Sequence, residues 1–192
     1  MSSVPGPAAR TALLVIDMQQ GMAGPDLPPR NNPQAEARIG ELLAHWRACG
    51  APVVHVRHIS RSPGSPFLPG QPGALFQPAL APLDTEHVVE KNVPDAFVHT
   101  GLERWLHQRD IRAVVVVGVS TSNSVEATAR SAGNLGFVTW VASDATFTFA
   151  KPDFDGRPRT AEEVHAMSLA NLHGEYATVL PTAALREKAG PG

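Results

Sequence analysis

The stretch 113–132, Ala-Val-Val-Val-Val-Gly-Val-Ser-Thr-Ser-Asn-Ser-Val-Glu-Ala-Thr-Ala-Arg-Ser-Ala, narrows the fold of this chain more than any other. A run of consecutive β-branched residues cannot alternate between core and solvent, so the strand it forms must be covered on both faces, as in a parallel sheet. The run breaks at Gly118, turns polar through Ser120–Ser124, and resumes as small helix formers from Val125 to Ala132. Asn123 with Glu126 three residues on makes a capping-box pattern, which predicts a helix beginning near Ser124. Ser124 then falls in a first helical turn, where backbone N–H groups lack intrahelical partners and the helix dipole is positive. A nucleophile there would have an anion-stabilising site beside it; a serine is equally at home there as an ordinary helix-start residue.

The rest of the chain repeats the alternation. Ala12–Ile16 is a short apolar strand with Asp17 at its carboxyl end. A helix with Pro33 as its first residue, capped by Asn32, carries Ile39, Leu42, Leu43 and Trp46 on one face and stops at Gly50. Val53–Val56 is a second strand, followed by His58 and a proline-rich loop that covers Pro63–Pro82. His87–Glu90 is a weaker strand ending at Lys91; Thr100 and Glu103 open a short helix with Leu102, Trp105 and Leu106 inward. Phe137–Ala142 is a strand leading to Asp144, Thr160 with Glu163 caps a helix to about Leu172, and Ala177–Leu180 is the last strand. Strands alternating with helices predict a doubly wound α/β sheet in one domain spanning 1–192. Ligands in such sheets bind beyond the carboxyl ends of the strands. The polar residues expected there are Asp17, His58, Lys91, Ser120–Ser124 and Asp144.

Composition excludes several classes of function. A net charge of −2 with no basic stripe leaves no footprint for nucleic acid. The first apolar run is stopped by Asp17 and is far too short to span a bilayer, and Met1–Arg10 has no leader-like apolar core. With one cysteine, Cys49, an internal disulfide is impossible, which fits a reducing, cytoplasmic setting. No metal site is expected, because His55 and His58 have no clustered carboxylate or cysteine near them in the sequence. Neither a G-x-G-x-x-G nor a P-loop pattern is present, so no nucleotide cofactor is expected.

Asp17 directly follows a buried strand, so desolvation would raise its pKa and a nearby cation such as Lys91 would lower it. A carboxylate between those influences suits proton transfer, although it could equally cap the following turn.

Three separated segments resemble the isochorismatase-like (cysteine) hydrolases: Leu-Leu-Val-Ile-Asp-Met-Gln around Asp17, Glu-Lys-Asn-Val-Pro-Asp-Ala-Phe around Lys91, and Gly-Val-Ser-Thr-Ser-Asn-Ser-Val-Glu-Ala-Thr-Ala-Arg around Ser124. The likeness runs over nearly the whole chain. It implies a six-stranded, mainly parallel sheet with helices on both faces, usually assembled as homodimers or homotetramers. It also implies a catalytic Asp, Lys and Cys at positions matching Asp17, Lys91 and Ser124, a cis Val119–Ser120 peptide, and an oxyanion hole from the Ser120 and Ser124 N–H groups. A substrate pocket near Met22, His58, Phe97 and Phe147 is expected, lidded by the 60–82 loop and the 147–158 segment. The nicotinamidase branch holds zinc through an Asp-x-His element after the second strand; here that place reads Val54-His55-Val56-Arg57-His58, so neither metal nor any other cofactor is expected.

The main departure is Ser124 where family members that cleave amides have Cys. Cysteine is intrinsically nucleophilic, whereas a serine hydroxyl needs a strong adjacent base. Ser122 also stands where an Asp is common, and two departures together read as a natural variant rather than one engineered change. Three readings follow: hydrolysis of an amide-type C–N bond in a small metabolite, metal-free ether hydrolysis by Asp17 and Lys91 without a covalent intermediate, or small-molecule binding without catalysis.

Overall fold

The computed structural model describes residues 11–188; the N-terminal segment read above for a leader lies outside the described residues. The strands are β1 (Thr11–Ile16), β2 (Val53–His58), β3 (His87–Lys91), β4 (Ala113–Val119), β5 (Val138–Phe147), a small hairpin of β6 (Lys151–Pro152) and β7 (Pro158–Arg159), and β8 (Thr178–Leu180). The helices are α1 (Ala35–Ala48), α2 (Leu102–His107), α3 (Glu126–Asn134), α4 (Ala161–Leu172) and α5 (Thr182–Lys188). Six strands pair in parallel in the order β3-β2-β1-β4-β5-β8. This is the predicted doubly wound sheet. Its order reverses between β1 and β4, the two strands whose residues are buried along their full length.

Alternate side chains of those central strands feed two cores. Leu14, Ile16, Val114 and Val116 pack with α2, α3 and Leu172 of α4; Leu13, Val15, Val115 and Val117 pack with α1 and Leu185 of α5. Trp46 is wholly buried against the second layer, and its Nε1 donates to the Thr11 carbonyl at 3.2 Å. Burying each of the Leu, Ile and Val side chains contributes about 1.5–3 kcal/mol. Gly118 explains how closely β1 and β4 approach: its φ is +115°, and a Cβ there would lie 2.1 Å from the Ile16 carbonyl oxygen.

Several boundaries differ from the expected ones. Asn32 does not cap α1; its Nδ2 donates instead to the carbonyls of Ser143 and Thr146 at 2.8 and 2.6 Å. The helix after β4 does not begin with a capping box. Thr121–Val125 forms a wide π-type turn in which the N–H groups of Val125 and Asn123 both donate to the Ser120 carbonyl, and Glu126 pairs with Arg130. The capping box at Thr160 and Glu163 is present as predicted, with bonds of 3.2 and 2.8 Å. β5 runs on past Ala142 to Phe147. Its register with β4 jumps from Val116↔Val141 to Gly118↔Thr146, so the 142–145 segment bulges out. Asp144 sits on that bulge and accepts from the Thr182 N–H and hydroxyl at the start of α5; it is not at the carboxyl end of the sheet. Among the described residues no helix is long and apolar enough to cross a membrane.

Candidate active site

Asp17, Lys91 and Ser124 meet above the carboxyl ends of β1, β3 and β4. Asp17 is the first residue past β1 and takes a left-handed backbone, φ +51°, which aspartate tolerates better than most residues. Its N–H still donates to Val56 of β2 at 2.9 Å, so the strand is held in register up to the point where the carboxylate turns across the sheet end. Lys91 ends β3, two strands from β1, about 10 Å away at ordinary strand spacing. Its side chain crosses over the end of β2 and places Nζ 2.7 Å from Asp17 Oδ2 and 3.3 Å from Ser124 Oγ. The Lys91 and Asp17 side chains are 0% and 1% exposed.

Burial pushes the Asp17 carboxyl above its usual range, while the Lys91 ammonium, the Ser124 hydroxyl and the His58 ring pull it back. Asp17 Oδ1 is buried with no hydrogen-bond donor among the described residues. The site thus holds a carboxyl whose second oxygen remains open to accept a proton, beside a cation and a hydroxyl. The peptide joining Val119 to Ser120 is cis, as expected.

A polar scaffold surrounds this trio. Ser120 Oγ and Ser122 Oγ contact Thr148 Oγ1 at 2.7 and 3.0 Å, and the Thr148 N–H donates to Asn31 Oδ1. Gln19, wholly buried, donates from its amide to the carbonyls of His58 and Ala74 and accepts from the His58 N–H at 2.8 Å. That one side chain ties the end of β2 to the proline-rich loop, which also receives Gln20 N–H on Leu75 and sends Gln77 N–H to Met18.

A family model, Isochorismatase domain, matches residues 11–184. The chain belongs to the isochorismatase family. YrdC of Bacillus subtilis, a protein of that family, is 37% identical over 173 residues, covering 90% of this chain and 92% of YrdC. A crystal structure of an isochorismatase-family protein from Chromobacterium violaceum superposes with a TM-score of 0.92 at 51% identity, covering 95% of this chain and 94% of that one. Nicotinamidase 3 of Arabidopsis thaliana is 31% identical over 188 residues, covering 91% and 86% of the two chains. The protein is therefore an isochorismatase-family hydrolase with the family's α/β fold.

Of the four expected pocket residues, the structure brings His58 to the trio. It is half-buried, sits edge-on to Phe67 at 6.1 Å, and its pKa is lowered by burial and by Lys91 despite the opposing pull of Asp17. Phe147 and Phe97 pack away from it, whereas Met22 stays half-buried. Phe147 is fully buried under the Arg30 guanidinium, 3.5 Å from its ring centroid. Phe97 stacks on Phe137 against the α2–α3 core, because the chain after Lys91 runs back down the sheet. Met22 packs onto the α1-side core. His55 does not join His58; strand alternation sends it to the opposite face, where its Nε2 meets Glu86 at 3.0 Å.

Gln19, Thr148 and His165 were not singled out from the sequence. Gln19 alone carried a usable signal, since it lies two residues beyond Asp17 at a strand end. Nothing in a linear reading marks Thr148 or His165.

Proposed function

We propose that this hydrolase cleaves a C–N amide-type bond of a small metabolite, using Asp17 for proton transfer, Lys91 for orientation and charge, and Ser124 as the attacking group. The observation that carries this reading is the convergence of Lys91 Nζ on Asp17 Oδ2 at 2.7 Å and on Ser124 Oγ at 3.3 Å. The similarity to a plant nicotinamidase supports an amide as the bond broken.

In this scheme Ser124 Oγ attacks the substrate carbonyl carbon while its proton passes to Asp17. The tetrahedral oxyanion is held by the Ser120 and Ser124 N–H groups, with Lys91 stabilising the added negative charge. Collapse breaks the C–N bond as Asp17 returns the proton to the leaving amine, giving an acyl ester on Ser124. Water, deprotonated by Asp17, then releases the acid and regenerates the hydroxyl. A raised carboxyl pKa favours the proton-accepting half of this cycle, since a base is most effective near the working pH.

A second reading rests on the serine itself. A hydroxyl is a poor nucleophile beside a single carboxylate, whereas a carboxyl whose pKa is raised by burial is suited to protonating an ether oxygen directly. Intact mass during turnover separates the two, because only the first leaves an acyl adduct on Ser124. The deciding experiment is turnover of small amides, ureides and isochorismate by the wild type, Asp17→Asn and Ser124→Cys. Asp17→Asn is expected to lose about 10²-fold or more. Full turnover in that variant refutes the assignment, and Ser124→Cys is expected to raise amide hydrolysis if the remaining machinery is that of an amidase. Saturable binding with no product from the wild type or from Ser124→Cys would instead indicate a binding role.

A further inference from the structure

We propose that His165 of α4 is a positioning residue that holds the elbow bearing Ser124 from the side opposite Lys91, through the hydroxyl of Thr121. This rests on the reading of Ser124 as the reacting position.

His165 lies 44 residues beyond Thr121 in the chain, and its ring spans two elements. Nδ1 is 2.9 Å from Thr121 Oγ1, and Nε2 is 3.0 Å from the Ser143 carbonyl. A carbonyl can only accept, so Nε2 carries the hydrogen. Burial favours the neutral ring, which leaves Nδ1 as an acceptor and the Thr121 hydroxyl as its donor. One tautomer therefore satisfies both contacts, and the ring orientation is set at both ends. The far end is anchored in turn: Asn32 Nδ2 donates to the same Ser143 carbonyl and to that of Thr146, fixing the β5 bulge on which His165 rests.

Thr121 is wholly buried, directly follows Ser120, and is the first residue of the wide turn. That turn is closed by Val125 N–H on the Ser120 carbonyl at 3.1 Å, a looser frame than a capped α-helix start. With no side-chain cap on the turn, its placement relative to Lys91 depends on groups outside it. Lys91 grips Ser124 on one side and His165 grips Thr121 on the other. Small displacements of a reacting group cost large factors in rate, which is why such outer contacts matter.

The test uses the alkylation of a thiol at position 124 by iodoacetamide, which needs no knowledge of the substrate. Ser124→Cys is made in a Cys49→Ser background, so the full chain has a single thiol. If this thiol reacts no faster than N-acetylcysteine at neutral pH, position 124 is not an activated site, and both the catalytic reading and this inference fall. If it is activated, adding His165→Ala is expected to slow alkylation about tenfold. His165→Asn, whose Oδ1 takes the place of Nδ1 as acceptor for Thr121, is expected to restore the rate to within about threefold. Thr121→Val removes the donor while keeping the side chain's shape. It should match the loss in His165→Ala, and the two changes together should lose no more than either alone. Circular dichroism confirms that each variant is folded, and Thr121→Val carries the test if His165→Ala is not. An activated thiol alkylated at the parent rate in folded His165→Ala or Thr121→Val overturns the inference while leaving the catalytic reading intact.

Discussion

Replacing Lys91 by methionine removes the ammonium 2.7 Å from Asp17 Oδ2 and leaves a carboxyl group sealed from water. A buried carboxylate without a partner takes up a proton rather than remain charged. In the unfolded chain Asp17 keeps its ordinary value of 3.8. Each pH unit above that value at which the folded state must hold the proton costs about 1.4 kcal/mol, so the ceiling at neutral pH is about 4 kcal/mol. The wild type already bears part of this cost, because burial raises its own Asp17. A carboxyl raised on folding contributes stability that is fully present below 3.8 and is lost as pH rises through the folded value. Variant and wild type therefore lose stability in parallel until the wild-type Asp17 ionises, and only then diverge. Methionine retains the packing of the lysine stem, a contribution that does not change with pH.

Urea unfolding of both proteins between about pH 4.5 and about pH 7.5 measures the divergence, and its onset reports the pKa of Asp17 in the native protein. Asp17→Asn/Lys91→Met, which has no titrating group at the pair, should show no such divergence. A deficit in Lys91→Met that is the same at both ends of the range would refute the argument that this carboxyl is desolvated and held chiefly by Lys91.

Two further outcomes follow from the packing. His55 is buried and its pKa lies below 6.5, so it stabilises the fold above 6.5 and that stability is lost as pH falls toward its folded value. His55→Gln keeps a donor for Glu86 and should lose less stability than the wild type as pH falls below 6.5, seen as a melting-temperature gap that narrows or inverts relative to neutral pH. Gly118→Ala puts a methyl 2.1 Å from the Ile16 carbonyl at a φ of +115°, so β1 and β4 must separate. It should cost more than about 4 kcal/mol, read as insoluble expression or a melting temperature lower by about 10 °C or more.

The site's outline was legible because a parallel sheet places all its strand ends at one edge. Asp17 and the 120–124 elbow each follow a strand and Lys91 ends one, and the sheet alone brings them together. The side chains that fill and brace that edge were not legible, for separate reasons. Phe97 and Phe147 are apolar residues near strand ends, and nothing local distinguishes a ring facing a ligand from one facing the core. Asp144 follows six residues that read as a complete strand, but β5 bulges there and continues, which turns the carboxylate toward α5. The capping box at Asn123 failed because the Asn123 N–H is already committed to the Ser120 carbonyl. The same pattern succeeded at Thr160, where the chain enters α4 from an extended conformation. His165 could not be found by pattern, since its role exists only through contacts made 22 and 44 residues away.

The strand order gives the reacting groups two origins. Strands β3, β2 and β1 all come from the first half of the chain, and they carry both Lys91 and Asp17. Strands β4, β5 and β8 come from the second half and carry the elbow with Ser124 and the bulge that braces it. The ion pair thus assembles on one half-sheet and Ser124 on the other, and the two meet along the seam where β1 lies beside β4. The Asp17–Lys91 pair draws both its members from the first half of the chain, and residue 124 reaches it through the 3.3 Å contact to Lys91 Nζ. Under the proposed function, such an arrangement lets the residue at 124 vary while the pair that handles the proton is kept.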